Sequence, residues 1–187
     1  MPLDARALTV AAATRTEALA ARWVLRGRAP VVRVGVACSR GTALPPGPLV
    51  VCGLAGGLAP ELAPGTVLVP EEVVDADGCG YRCDQELVEG LALAARRLGH
   101  QPVLSPLLTL PMLVRGAARA EWARRGHLAV DMESATLVRA APDGAAVVRV
   151  VLDTPTRGLV RSVPWAPSFA ARAAAVVREL LALASSS

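Results

Sequence analysis

Short apolar runs alternate along this chain with amphipathic stretches, and the alternation predicts strands and helices in turn. Ala7 to Ala13 reads as a buried first strand. Thr14-Arg15-Thr16-Glu17 follows with the spacing of a capping box, and predicts a helix through Leu19, Trp23 and Val24 to Gly27. Val31 to Val36 and Val50 to Cys52 read as further strands, the latter ending in the glycine cluster Gly53-Leu54-Ala55-Gly56-Gly57-Leu58. After a turn at Pro64-Gly65, Thr66 to Val74 reads as one long strand carrying Pro70. Asp75 to Gly80 is a turn, and a helix from Asp84 to Leu98 presents Leu87, Leu91, Ala94, Ala95 and Leu98 on one face. Pro102 to Leu110 is strand-like and Arg115 to Arg125 helical. His127 to Val130 predicts a strand that runs through Asp131-Met132-Glu133-Ser134-Ala135 into a helix. Ala145 to Leu152 predicts another strand, closed by Asp153-Thr154-Pro155. A Pro- and Gly-rich loop leads to a final helix, Ser168 to Ala184.

This order argues one α/β domain over residues 1–187, with no internal repeat and no linker. A chain of 187 residues can enclose one core but not two comfortable ones. Apolar residues make up 53% and aromatics 3%, so Ala, Val and Leu build the core. All 20 basic residues are Arg, which points to a coding bias rather than a function. The net charge of +4 is scattered and does not cluster with aromatics, which argues against nucleic-acid binding. Cys38, Cys52, Cys79 and Cys83 lack zinc-site spacing and read as reduced thiols, so no metal and no cofactor is expected. Met1 to Arg6 lacks the apolar region of a signal peptide. The charge-free run from Gly41 to Pro60 is interrupted by four Pro and five Gly, and is no membrane helix. These features predict a soluble, cytoplasmic protein.

The candidate chemistry lies at strand ends, where open α/β sheets bind ligands. Met132 and Glu133 follow one strand and Asp153 ends another, so two carboxylates are expected to face each other. Each also has a plainer reading: Glu133 as a first-turn helix residue favoured by the dipole, Asp153 as a turn former before Pro155. Glu17 reads equally as the helix cap. The glycine cluster after Cys52 suits either close approach to a ligand or tight packing, and is not a mononucleotide P-loop. His100 and His127 have no motif around them.

Three segments together carry a resemblance. Val50-Val51-Cys52-Gly53-Leu54-Ala55-Gly56-Gly57-Leu58 with Pro64-Gly65-Thr66-Val67-Leu68-Val69, then Val130-Asp131-Met132-Glu133-Ser134-Ala135, then Arg149-Val150-Val151-Leu152-Asp153, resemble motifs of the nucleoside phosphorylase and nucleosidase superfamily, in its order. The second and third are most similar to the hopanoid-associated phosphorylase branch, with the methylthioadenosine/S-adenosylhomocysteine nucleosidases next. The resemblance implies a central mixed β-sheet flanked by helices, and cleavage of a purine nucleoside. It implies that Glu133 accepts hydrogen bonds from the ribose hydroxyls and that Met132 lies against the sugar. Asp153 matches the general acid at purine N7, and Glu17 the base that activates water on the opposite face. Met112 falls near the position that stacks on the purine, and Asp131 is placed with it on the purine side.

The family's serine-glycine loop is altered here to Val34-Gly35-Val36-Ala37-Cys38-Ser39-Arg40-Gly41, the following helix is nearly absent, and the chain is short. Candidates for a phosphate or water pocket are Arg15, Gly35 and Gly53, with Arg33 and Arg40 beside them. Glu17 turned inward would favour water, whereas Glu17 outward and Arg15 inward would favour phosphate as co-substrate. With the loop altered, hydrolysis is expected. The expected substrate is an adenine nucleoside with a non-phosphate 5′ substituent, of adenosylhopane, methylthioadenosine, S-adenosylhomocysteine or futalosine type. A nucleoside-binding protein without turnover is the alternative of another class. The short apolar chain also predicts a homodimer.

Overall fold

A computed structural model describes residues 8–41 and 43–186 of the chain. The expectations for Met1 to Arg6 and for Ala7 lie outside these. The strands are β1 (Thr9–Ala12), β2 (Val31–Arg33), β3 (Leu49–Gly57), β4 (Val67–Leu68), β5 (Glu72–Val74), β6 (Gly80–Arg82), β7 (Leu107–Thr109), β8 (Ala129–Asp131) and β9 (Ala145–Asp153). The helices are α1 (Arg15–Leu25), α2 (Gln85–Arg97), α3 (Ala117–Arg124), α4 (Ser134–Ala140), α5 (Leu159–Ser162) and α6 (Ala166–Ala184). They form one α/β unit around a mixed sheet whose path runs β2-β1-β3-β8-β7-β5-β6, with β9 pairing β3 and β4.

β3 is the axis of the sheet. Along one edge it pairs in parallel with β9, from Leu49 opposite Ala145 to Gly56 opposite Asp153. The other edge is shared. β1 pairs in parallel with Leu49 to Val51, and β8 pairs antiparallel with Gly56 and Gly57. Among the described residues no strand covers the intervening Cys52 to Ala55 on that edge. A bulge between Ala55 and Gly56 turns the strand end towards β8. Val130 and Asp153 therefore flank Gly56 from opposite sides.

Several sequence boundaries shift for physical reasons. The glycine cluster expected beyond the third strand is part of it, because β8 and β9 both pair with its glycines. The long strand expected over Thr66 to Val74 is two short ones, β4 and β5, interrupted around Pro70, which has no N–H for a ladder. Gly80 to Arg82, expected to lead from a turn into a helix, forms β6 and closes a hairpin on β5. The expected first helix is there with its capping box, and ends in a left-handed Arg26 and Gly27.

The core lies between the sheet and helices α1, α2 and α6. Val147, Val148, Val150 and Val151 of β9 and Ala173, Ala174, Val176 and Val177 of α6 are fully enclosed. Small residues allow this close packing. A Cβ at Gly90 of α2 would stand 2.6 Å from Leu180 of α6. On the outer face of α1, Leu19 and Trp23 are exposed. Among the described residues no helix is long and apolar enough to cross a membrane.

Candidate active site

One charged side chain sits in the middle of an apolar strand. Arg149 of β9 is 1% exposed, between the fully buried Val148 and Val150. Its Nη2 lies 2.5 Å from Asp131 Oδ2 and 3.3 Å from Glu133 Oε2, and donates to Ser134 Oγ at 3.2 Å. Its Nη1 lies 3.8 Å from Glu17 Oε1. One guanidinium thus gathers carboxylates from α1, from β8 and from the β8–α4 junction. Burial alone would lower its pKa, but the charges of Asp131, Glu133 and Glu17 outweigh that and raise it. Among the described residues Nη1 and Nε find no hydrogen-bond partner. Buried guanidinium donors in this state call for a polar molecule beside them.

Glu17 does two jobs. Its Oε2 accepts from the Thr14 N–H and the Thr14 hydroxyl, each at 2.7 Å, which completes the capping box. Its Oε1 accepts from the Leu54 N–H at 2.8 Å, within the uncovered stretch of the β3 edge. The side chain is 4% exposed and points into the protein. Gly53 makes this possible: a Cβ there would run into Glu17 Oε1 and lie 2.6 Å from Arg149 Nη1.

Glu133 approaches from the other side. Its Oε1 accepts from the Ala37 N–H at 2.9 Å. That donor belongs to a 3-10 turn, Val36–Cys38, in which Ala37 and Cys38 both hold left-handed backbone angles, φ 50° and 57°. Two adjacent non-glycine residues in this region carry strain, which the Glu133 contact helps to hold. Burial, with the charges of Asp131 and Glu17 behind it, raises Glu133 above the ordinary carboxylate range, although Arg149 and the Ala37 N–H pull the other way. The Cys38 thiol is pushed up to about 11 by burial and by the charges of Glu133 and Asp131, so it carries no thiolate at neutral pH.

Asp153 stands apart from this group, at the end of β9 beside Gly56. Its Oδ2 accepts from Arg119 Nη2 in a salt bridge whose two side chains are both buried. A small cavity of about 40 Å³ lies here, lined by Gly56, Met112, Val130, Met132, Arg119 and Asp153 among others. A larger one of about 650 Å³, bounded by the 113–116 and 153–161 segments, adjoins Asp153 and Arg119. Among the described residues no cluster of His, Cys, Asp and Glu side chains could hold a metal ion.

Several candidate residues sit elsewhere than the sequence predicts. Asp131, expected on the purine side, faces inward: it binds Arg149, the Thr109 hydroxyl at 2.7 Å, and both the N–H and the hydroxyl of Ser134. Its lone pairs are taken by the network that starts α4. Arg15, a candidate for the phosphate or water pocket, is exposed on α1, while the capping box turns Glu17 inward. Gly35 heads a cramped turn, where a Cβ would meet Ser39 and Arg40, and the nearby Ala37 N–H goes to Glu133. Gly53 supplies space for side chains rather than an anion cradle. Met112 is 69% exposed at the rim of the small cavity. Sequence reasoning assigns no role to Arg149 or Arg119. A lone charge inside the run Ala145 to Leu152 is the available signal for Arg149, whereas nothing in the 115–125 segment marks Arg119.

The sequence matches the family model of the phosphorylase superfamily over residues 9–182. A search of curated proteins found no match. The fold is similar to several solved structures over almost the whole length of both chains. A Helicobacter pylori MTAN (5′-methylthioadenosine/S-adenosylhomocysteine nucleosidase) mutant with 5′-methylthioadenosine in its active site superposes with TM-score 0.79 at 13% identity, covering 95% of this chain and 99% of that one. A Borrelia burgdorferi protein described as a putative nucleosidase of the same kind, bound to adenine, gives 0.82 at 15%, covering 94% and 99%. The futalosine hydrolase of Helicobacter pylori gives 0.79 at 12%, covering 96% and 98%. At such identities the likeness speaks for the fold, and the family match speaks for descent: this chain belongs to the phosphorylase superfamily and has the α/β fold of its nucleosidase enzymes.

Proposed function

We propose that this protein hydrolyses the N-glycosidic bond of an adenine nucleoside whose 5′ position carries a non-phosphate, apolar group. The observation that carries the reading is the set of three carboxylates, Asp131, Glu133 and Glu17, around the single guanidinium of Arg149. Like charges about 4 Å apart cost on the order of 4 kcal/mol at an effective dielectric of about 20. A phosphate dianion entering a group already rich in carboxylates meets that repulsion, while neutral water does not. Arg149 Nη1, without a hydrogen-bond partner among the described residues, lies 3.8 Å from Glu17 Oε1, and the reading seats the attacking water against this pair.

In this reading Glu17 takes the proton of that water as it attacks C1′. Glu133 accepts from the ribose hydroxyls, and Met132 lies against the sugar. The C1′–N9 bond breaks with its electron pair going to the purine, and Asp153 delivers a proton to N7. An acid on the base side and a water-activating carboxylate opposite resembles inverting glycoside hydrolysis. The structures with 5′-methylthioadenosine and with adenine support adenine nucleosides as the substrate class. The expected homodimer belongs to the same proposal, with the exposed Leu19 and Trp23 as the surface it would cover.

The test is adenine release from a panel of 5′-substituted adenosines, with and without phosphate. Equal rates and a free sugar product are expected. Phosphate-dependent release yielding a ribose 1-phosphate derivative would overturn the choice of water, and no release from any member would overturn the function.

Asp153→Asn keeps the shape and removes the proton donor, so kcat should fall by at least about 10²-fold in a folded protein. Unchanged turnover would remove Asp153 from the chemistry.

Glu133→Gln should trade activity for stability. The folded protein binds the Glu133 proton more tightly than the unfolded chain does. This group's contribution therefore favours folding at low pH and is lost as pH rises through its raised folded value. The variant should melt above wild type at neutral pH, the gap closing as pH falls to the ordinary carboxylate range, while turnover drops. A gap that widens on acidification would contradict the burial of an ionised Glu133.

A further inference from the structure

Asp153 has a partner for which the reaction above has no use. Arg119 Nη2 donates to Asp153, Nη1 to the Gly57 carbonyl at 3.2 Å, and Nε to the Val114 carbonyl at 3.1 Å. The side chain is buried, and it is the one buried residue of α3 among those described. Its guanidinium covers the acid at the inner wall of the small cavity. The room left there, about 40 Å³, suits one or two waters. Ligand sites are roughly 300–1,000 Å³. The adjoining 650 Å³ cavity has the needed volume, and Arg119 and Asp153 line both. Leu113 is the third residue that lines both.

We infer that Arg119 is a stand-in for the purine, a residue that sets affinity by occupying the base position until the nucleoside displaces it. The inference rests on the nucleosidase reading. The planar guanidinium presents its N–H groups to the Asp153 carboxylate at the end of β9 and to the Gly57 carbonyl at the end of β3, acceptors that would receive a purine's own N–H groups. While Asp153 Oδ2 accepts from Arg119, it has no proton at that atom to deliver to N7. Release of Arg119 therefore precedes proton transfer. The larger cavity, bounded by Arg115, Gly116, Thr154 and Leu159, can receive the displaced side chain. At its N-terminus α3 is held by no side-chain cap, Gly116 standing there at φ 53°. When the competent state is a fraction of the population, apparent affinity falls by that fraction.

The experiment compares full-length wild type, Arg119→Gln and Arg119→Lys by adenine titration calorimetry and steady-state kinetics, with thermal melts to establish folding. Arg119→Gln should bind adenine, and show a KM for the nucleoside, at least about tenfold tighter than wild type, with kcat changing less than KM. Arg119→Lys, which keeps a cation but loses the three-way fork, should fall between, and serves as the measured variant if Arg119→Gln does not fold. Guanidinium chloride at non-denaturing concentration should compete with the nucleoside in Arg119→Gln and leave wild type unaffected, which a purely structural role would not produce. KM and adenine affinity equal to or weaker than wild type in the folded variants, with wild type active, would overturn this inference alone. No adenine binding and no turnover by any of the three would overturn it together with the nucleosidase reading.

Discussion

The structure depends on one buried cation. Arg149 stands where every other residue from Ala145 to Leu152 is apolar, and it is tolerated only because three carboxylates and a hydroxyl converge on it. Each carboxylate is delivered by a different piece of the fold. Glu17 comes from the first turn of α1, Asp131 from the end of β8, and Glu133 from the junction with α4. The network ties α1, which follows β1, to the β8–α4 junction, in addition to the ladders by which β3 joins β1 and β8. A network whose parts are this costly to bury separately specifies the relative placement of the elements that supply them.

The same constraint shapes the chemistry. Three carboxylates against one guanidinium leave the site short of positive charge, and burial already raises Glu133. The turn that bears Ala37 is held in strained geometry by a hydrogen bond to that glutamate, so its N–H groups are not an open cradle for an anion. The proposal of water over phosphate draws on both charge and backbone. Across Gly56, the acid Asp153 belongs to a second, independent ion pair with Arg119. Two separate arginines balance the buried carboxylates, Arg149 the group of Glu17, Asp131 and Glu133, and Arg119 the side chain of Asp153.

Much of this is legible in the sequence, unevenly. Element types can be read because apolar periodicity decides them locally, and the α1 capping box because its two residues are three apart. The break at Pro70 has a local cause in the missing N–H, but the pairing of the glycine cluster cannot be read, since it depends on which distant strands arrive beside it. Motifs single out Glu17, Glu133 and Asp153, yet spacing does not say which way Glu17 turns or that Asp131 is consumed by Ser134 and Arg149. Arg149 is visible as a charge in an apolar strand. Arg119 is not visible at all, because its helix reads as an ordinary surface segment and only the tertiary fold brings it to Asp153.

If Arg149 balances the three buried carboxylates and so holds the fold around them, denaturant unfolding of Arg149→Met at neutral and at acidic pH will show it. Loss of one partner of a buried ionic network should cost about 3–5 kcal/mol at neutral pH. The deficit relative to wild type should shrink on acidification, as the uncompensated carboxylates take up protons. Wild-type stability at neutral pH, or a deficit independent of pH, would contradict the account.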